Sequence, residues 1–162
     1  MEDKSRVAFY ASTYLDKEHD IAVTDQFRVL HNRIEHDENK LAGYYSDERN
    51  IASTERRHGI MQLLKDAHAG KIDWVITYDA DRLALNHDNL IEIVRRLKLC
   101  GVEVYSLIGA AEPLSAQLAE DIHAAEQEAI YKEAMAWERY WDSHMEIAEQ
   151  DYASSQPFTP EI

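Results

Sequence analysis

Short apolar runs alternate with amphipathic helical stretches along the first 110 residues, and this alternation constrains the fold more than any other feature. The runs typical of strands and those with helical spacing interleave in the order 6–10, 25–35, 41–45, 59–69, 74–78, 89–100 and 102–108. Strands separated by helices predict an α/β fold with a central, mostly parallel sheet of about four to five strands and helices on both faces. We therefore expect a three-layer core over residues 1–110.

A stretch without Gly or Pro runs from Leu114 to about Asp151 and predicts one long helix. At 1.5 Å per residue such a helix would be roughly 55 Å long, too long to pack entirely on a domain of this size. We place this helix at 111–152 and a tail at 153–162. The apolar side chains that recur along it are predicted to form a dimer interface, with a second copy or another protein. They are Leu118, Ile122, Ala125, Ala129, Trp137 and Trp141.

The charge balance is strongly acidic, with 17 basic against 31 acidic residues and a net charge of −14. Between Glu112 and Asp151 the sequence holds eleven acids against Lys132 and Arg139. Affinity for DNA comes largely from basic side chains that neutralise phosphates, so DNA binding is predicted to be weak or absent. The acidic segment is either a solvated helix face or a surface that attracts a basic protein.

The composition also excludes several classes of protein. Cys100 is the single cysteine, so no intrachain disulfide can form. No apolar run is long enough to span a bilayer and the first residues lack a signal-peptide core, so a cytoplasmic protein without membrane contact is expected. His58 and His87 lack a third ligand at a recognisable spacing, so neither a metal nor a cofactor is predicted.

A signature block lies around the third strand-like run. It reads Asp81-Arg82-Leu83 shortly after 74–78, with Arg57-His58-Gly59 and Asp47 upstream, Tyr10-Ala11 in the first run and Gln26 in the first helix. In these positions residues 5–135 resemble the catalytic domain of the serine site-specific recombinases, the resolvase/invertase family. The resemblance implies a resolvase-like fold with a long dimerisation helix.

The family's chemistry, as the resemblance implies it, needs a serine that attacks a DNA phosphodiester and arginines that neutralise the phosphate. A guanidinium group offers a planar fork that matches two phosphate oxygens. Five positions that match the family are candidates for a phosphate or anion site here. They are Arg57, Arg82, Asp81, Asp47 and Gln26.

Four other positions depart from the family's pattern. The nucleophile column falls on Tyr14, two arginine columns fall on Ser12 and Leu85, and the serine of a Ser-Gly pair falls on Ile51. Loss of one preorganised transition-state donor costs on the order of 2.7–4 kcal/mol. Loss of two arginines and the nucleophile therefore predicts that DNA cleavage is abolished.

The long helix departs from the family as well. Two basic columns of its DNA-facing stretch fall on Gln127 and Glu133, and a carboxylate repels phosphate. The family normally continues into a separate DNA-binding domain, whereas this sequence ends at Ile162. We expect no such domain.

The alternatives stay open at this point. Tyr14 is either a tyrosine nucleophile or a packing aromatic, and Ser12 and Thr13 are candidates for a displaced nucleophile. Arg82 either binds an anion or pairs with Asp81, Asp79 or Asp47. Three hypotheses for the chain follow. The first is an inactive, dimerising interaction or regulatory module related to DNA recombination, as a homodimer or together with an active recombinase. The others are a divergent active recombinase with a relocated nucleophile and an acidic DNA mimic that occupies a basic protein.

Overall fold

The computed structural model describes residues 4–14, 20–34, 38–48 and 54–155, and it describes the side chains only to residue 145, residue 55 excepted. Four parallel strands form one sheet in the order β2-β1-β3-β4. The strands are β1 (Ser5–Ser12), β2 (Asn39–Asp47), β3 (Trp74–Thr77) and β4 (Glu103–Ser106). The prediction of a mostly parallel α/β sheet with four to five strands is confirmed.

Helices connect the strands, as parallel pairing requires. They are α1 (Val23–Arg33), α2 (His58–His68), α3 (Ala80–Leu83), α4 (His87–Leu99), α5 (Leu114–Gln117) and α6 (Ala119–Ser155), with a 3-10 turn at Thr54–Arg56. The one-turn helix α3 has no counterpart in the sequence-based prediction, because four residues are too few to establish a helical period.

The core consists of two layers that meet at the buried strand β1. Val7 and Phe9 pack with Leu30 of α1 on one face of the sheet. Alternate residues of a strand point to opposite faces, so Ala8 and Tyr10 lie on the other face. That face is covered by buried side chains such as Ile60 of α2. Helices on both faces were predicted, and this arrangement confirms them.

The helical segment that begins at Leu114 is interrupted, whereas the sequence predicted one continuous helix from that residue. α5 ends at Gln117, Leu118 leaves the helical conformation with ψ of 15°, and α6 begins at Ala119. The reason is tertiary: Leu114 and Ser115 are buried, and the Ser115 hydroxyl donates to the Glu103 carboxylate of β4. A helix-favouring sequence gives no sign of this break.

Two compact units divide the chain, residues 1–122 and residues 123–162. The first unit contains the sheet and helices α1 to α5, and the second contains most of α6. None of the helices in the described part of the chain is both long enough and apolar enough to cross a membrane.

Candidate functional site

Arg82 lies at the carboxyl end of the sheet, where the ends of parallel strands converge. β3 ends at Thr77 and α3 follows within three residues, which places Arg82 beside the end of β1. The Arg82 guanidinium donates from Nη1 to Asp20 Oδ2 at 2.7 Å and from Nη2 to Asp20 Oδ1 at 2.9 Å. Only 3% of the Arg82 side chain and 7% of the Asp20 side chain are exposed, so this ion pair is buried.

Asp20 is the residue that sequence reasoning missed. The sequence offered Asp81, Asp79 or Asp47 as partners of Arg82, and Asp79 Oδ1 lies 3.5 Å from Arg82 Nε. Asp20 instead accepts from both Nη groups of Arg82. These hydrogen bonds hold the pKa of the Asp20 carboxyl below its usual value. The carboxylate is therefore ionised at neutral pH and neutralises Arg82.

Arg57, the second retained arginine, is also turned to the protein interior. Its Nη2 donates to the Tyr10 hydroxyl at 2.6 Å and to the backbone oxygen of Arg82 at 3.0 Å, and its Nη1 donates to the backbone oxygen of Leu83. The Arg57 side chain is 1% exposed, and its Nε lies 3.9 Å from Asp47 Oδ2. In this conformation the guanidinium holds α3 to β1 and has no face open to a ligand.

Asp47, the last residue of β2, caps the start of helix α2, and its side chain is 9% exposed. Its carboxylate accepts the backbone N–H groups of Gly59 at 2.8 Å and Ile60 at 3.0 Å, and the Tyr10 hydroxyl at 2.7 Å. Negative charge at a helix N-terminus is favourable because the first N–H groups lack helical partners. A Cβ at Gly59 would lie 2.2 Å from the Ser46 carbonyl oxygen, so the close approach of α2 to β2 requires glycine.

Tyr14, at the nucleophile column, is half-buried beside Arg82. The Arg82 guanidinium carbon lies 4.2 Å from the centre of the Tyr14 ring, and the Tyr14 hydroxyl lies 3.4 Å from Asp79 Oδ1. Burial, followed by the negative charge of Asp79, raises the pKa of Tyr14 to about 12. The phenolate that would attack phosphorus is therefore disfavoured at neutral pH, and the ring instead packs on the cation.

Ser12 and Gln26 support the backbone around Arg82. The Ser12 hydroxyl donates to the Arg82 backbone oxygen at 2.6 Å, and the Ser12 side chain has no exposed surface. Gln26 Nε2 donates to the backbone oxygens of Ser12 and Ile21, each at 2.9 Å, and is fully buried. A phosphate group cannot reach either side chain in this conformation.

Thr13 lines an open recess of about 410 Å³ next to Asp20. The remaining lining residues are Ala22, Val23, Thr24, Ser46 and Glu48. Among the described residues that line the recess, none is basic and two, Asp20 and Glu48, carry carboxylates, so these residues disfavour an anion. The Thr13 hydroxyl oxygen is itself buried and has no hydrogen-bond partner within the described part of the chain.

The remaining signature positions lie at the surface or outside the described residues. Asp81 is exposed, so its carboxylate is not one of the buried groups around Arg82. Leu85, at the third arginine column, is 52% exposed and leaves that position without charge. Ile51 lies outside the described residues.

The predicted interface residues divide into two groups. Ile122 is 1% exposed within its own chain, so its assignment to an interface was wrong: the three- and four-residue spacing marks an apolar face but not what covers it. Leu118 and Ala125 are half-buried, and Ala129 is exposed. Trp137 and Trp141 are 53% and 55% exposed.

No group of three or more His, Cys, Asp or Glu side chains able to hold a metal ion occurs among the residues that the structure describes. The His58 and His87 side chains are exposed, and His87 Nε2 lies 3.0 Å from Asp121 Oδ2.

The structure therefore defines a parallel α/β domain with two buried arginines at the carboxyl end of its sheet. Residues 12–140 match the family Resolvase, N terminal domain, and this match covers most of the chain. The chain belongs to the resolvase family, a family of serine recombinase domains related to DNA recombination, which confirms the resemblance.

Solved structures agree on the fold. The N-terminal catalytic domain of TP901-1 integrase superposes with a TM-score of 0.61 at 16% identity over 81% of this chain and 98% of that one. A resolvase family site-specific recombinase from Streptococcus pneumoniae gives 0.55 at 13% identity over 90% and 99%. The C-terminal catalytic domain of ISC1926 TnpA, an IS607-like serine recombinase, gives 0.55 at 21% identity over 74% and 79%. No curated protein matches the chain in sequence.

Proposed function

We propose that this chain is a resolvase-type module that does not cleave DNA and acts by associating with other proteins through α6, as a homodimer or together with an active recombinase. The observation that carries the proposal is the state of the two retained arginines. Arg57 and Arg82 are 1% and 3% exposed, and their Nη groups donate to partners within the chain.

The charge count at the site supports the same conclusion. Phosphoryl transfer is catalysed mainly by positioning and by preorganised positive charge. Here the charge of Arg82 is balanced by Asp20 and that of Arg57 by Asp47, and Leu85 and Ser12 stand at two further arginine columns. A phosphodiester at this site would therefore meet no net positive charge from these described residues.

Incubation with supercoiled plasmid and with nicked duplexes tests the proposal. We expect no covalent protein–DNA adduct and no relaxation of the plasmid, while an active serine recombinase in the same buffer supplies the positive control. The competing hypothesis is a divergent active recombinase, which predicts an adduct. An adduct that disappears in Tyr14→Phe, Ser12→Ala or Thr13→Ala would overturn the proposal and name the nucleophile.

The exposed apolar side chains of α6 support a role in association. Ile130, Trp137, Trp141 and Met145 are each more than half exposed and recur at steps of seven, four and four residues, so they lie along one side of the helix. Large exposed aromatic side chains dominate the energy of protein interfaces. We propose this side of α6 as the association surface.

Sedimentation of a double variant tests that surface. Trp137→Ala with Trp141→Ala should shift the chain from dimer to monomer, because it removes the two largest side chains of the surface. Tyr131→Ala is the matched control, since Tyr131 is 65% exposed but lies about 100° around the helix from Ile130. If the wild type is a monomer, the homodimer is excluded, and association with a different protein remains as the proposed role of α6.

The acidity of α6 favours a basic protein as the second candidate partner. Residues 119–145 hold Glu120, Asp121, Glu126, Glu128, Glu133, Glu138 and Asp142 against Lys132 and Arg139. Capture of a basic protein that weakens with salt, and is lost when Glu126, Glu128 and Glu133 are changed to Lys, would indicate a DNA mimic.

A further inference from the structure

Carboxylates lie on both sides of the association surface of α6. With about 100° between successive residues of a helix, Glu126 and Glu133 lie about 60° and 80° to one side of Trp141. By the same spacing, Glu138 and Asp142 lie about 60° and 100° to its other side. Three of these four acidic side chains are exposed, and Glu126 is half-buried. Negative charge therefore borders the association surface along both edges.

The basic side chains of this part of the helix lie on its opposite side. Residues 119–145 contain one lysine, Lys132, and one arginine, Arg139. They lie about 180° and 160° from Trp141. There the Lys132 Nζ is 2.8 Å from Glu128 Oε1. Both bases are therefore directed away from a partner that packs on Trp141.

A second copy of this helix would bring acidic borders together. When two helices pack side by side, the residues that border each apolar side lie next to the border residues of the partner, and their charges determine which partners bind. Because both borders are acidic, a parallel pair and an antiparallel pair alike place carboxylates opposite carboxylates. Like charges across an interface oppose association. The charge pattern therefore disfavours a homodimer through this surface.

The aromatic side chains of the surface still favour a helical partner. The Trp137 and Trp141 side chains are more than half exposed, and both contact Tyr140, with ring centres 5.6 Å and 5.9 Å apart. Rings that already pack on one another lose less freedom when a partner covers them. A partner with an apolar side would bury these rings, and lysine or arginine on its borders would turn the repulsive contacts into attractive ones.

We propose that α6 binds an amphipathic helix of another protein, whose apolar side is bordered by lysine or arginine residues, in preference to a second copy of this chain. This inference rests on the proposed function, in which α6 is the surface of association. It adds the chemistry of the partner and the physical reason for its preference over a homodimer.

A charge-reversed form of the full chain serves as the test partner. This border-reversed chain carries Glu126→Lys, Glu133→Lys, Glu138→Lys and Asp142→Lys and keeps the aromatic residues. Fluorescently labelled wild type should bind it at least about tenfold more tightly than it binds unlabelled wild type at low ionic strength. Sedimentation with fluorescence detection measures both affinities. Equal affinities, or no binding to either chain, would overturn the inference.

A second reversed chain controls for net charge. This control chain carries Asp88→Lys, Glu112→Lys, Asp121→Lys and Glu128→Lys, which reverse the same number of exposed acids away from the association surface. Labelled wild type should bind it at least about fivefold more weakly than it binds the border-reversed chain. Equal affinities for the two reversed chains would show that net charge alone determines binding and would contradict the inference.

Salt separates the charged borders from the apolar contact. Raising the ionic strength from about 0.01 M to about 1 M shortens the Debye length from about 30 Å to about 3 Å. The preference of the wild type for the border-reversed chain should therefore largely disappear. A preference that persists undiminished in high salt would show that the bordering charges do not cause it.

Trp137→Ala with Trp141→Ala distinguishes helix packing from capture by charge alone. This double variant of the labelled chain should lose most of its binding to the border-reversed chain. Binding that depends on the reversed charges but survives loss of both tryptophans would indicate a DNA mimic and would contradict the inference. Failure of the proposed function would appear separately, as a covalent DNA adduct formed by the wild type.

Poor folding of the border-reversed chain would not prevent the test. Glu126 is the half-buried member of the four, so a chain with Glu133→Lys, Glu138→Lys and Asp142→Lys changes exposed side chains only. Wild type should still prefer this chain to itself, by a smaller factor. Absence of a preference in this folded variant would overturn the inference as well.

Discussion

Two aspartate–arginine forks lie at opposite ends of the sheet and differ mainly in burial. At the amino end of β1, Asp73 accepts Arg6 Nε at 3.1 Å, Nη2 at 3.0 Å and the Arg6 backbone N–H at 2.8 Å. At the carboxyl end, Asp20 accepts from Arg82 Nη1 at 2.7 Å and Nη2 at 2.9 Å, and from the backbone N–H groups of Tyr14 and Ile21, each at 2.8 Å. The first pair is 42% and 40% exposed, and the second is 3% and 7% exposed.

Hydrogen-bond geometry alone therefore does not show how much each ion pair contributes to stability. Breaking an exposed pair lowers the free energy of unfolding little, because water solvates the remaining charge. Breaking a buried pair lowers it much more, because no water replaces the missing partner. The carboxyl end of the sheet is therefore the end where single substitutions should have large effects.

The largest effect is expected for Asp20→Ala. Removing one partner of a buried ion pair costs roughly 3–5 kcal/mol, and this substitution removes the carboxylate that accepts from both Nη groups of Arg82. Urea unfolding of the variant against the wild type measures this loss. Asp20→Ala combined with Arg82→Met should recover part of it, and a double variant less stable than the single one would contradict the explanation.

A smaller effect is expected for Tyr10→Phe. The Tyr10 hydroxyl accepts from Arg57 and donates to Asp47, so its removal leaves buried polar groups unsatisfied at a cost of about 1–3 kcal/mol. Tyr45→Phe is the control, because the Tyr45 hydroxyl donates to Asp66 at 2.5 Å in a half-exposed setting. Urea unfolding measures the free energy of unfolding of both variants. Equal decreases in the two would contradict the explanation that burial of the hydroxyl determines the size of the loss.

Acidification should reduce the difference in free energy of unfolding between the wild type and Asp20→Asn. The pKa of Asp20 is lowered in the folded chain, mainly by Arg82. The charged Asp20 carboxylate therefore contributes its full stabilisation above the pKa of the unfolded chain, about 3.9. This stabilisation is lost as the pH falls through the lower pKa of the folded chain. The difference in free energy of unfolding should be constant from about pH 5 to 7 and shrink below about pH 4. A difference unchanged at about pH 2 would count against this assignment.

The smallest effect is expected for Asp73→Ala. The exposed Arg6 fork should contribute no more than about 1 kcal/mol, and its contribution should fall with added salt. Unfolding at low and high ionic strength measures both. A loss as large as that of Asp20→Ala would show that burial does not separate the two ends of the sheet.

The sequence predicted the layered fold well, because the apolar runs have the strand and helix periods that a buried parallel sheet demands. The strand at 74–78 and the helix at 89–100 correspond to β3 and α4 within two residues. The helix break at Leu118 and the burial of Ile122 were not predicted, since both depend on tertiary packing. The spacing of apolar residues along a helix indicates neither feature.

The site was predictable in its retained residues but not in its closure. Arg57 and Arg82 were identifiable from the signature, and Tyr14 from its column. Asp20 lies in a stretch that also contains Asp16 and Glu18, and no spacing distinguishes one of these acids from another. Asp20 is identified as the partner of Arg82 by its burial and by the four hydrogen bonds that it accepts in the folded chain.

The backbone oxygen of Arg82 makes the losses at this site interdependent. It accepts both the Ser12 hydroxyl and Arg57 Nη2, and Ser12 is fully enclosed. An arginine introduced at position 12 would have to enter packed protein and would bring its charge next to the guanidinium groups of Arg57 and Arg82. A change to the family's charge set therefore requires several coordinated substitutions, and the family's residues should be destabilising when they are introduced one at a time.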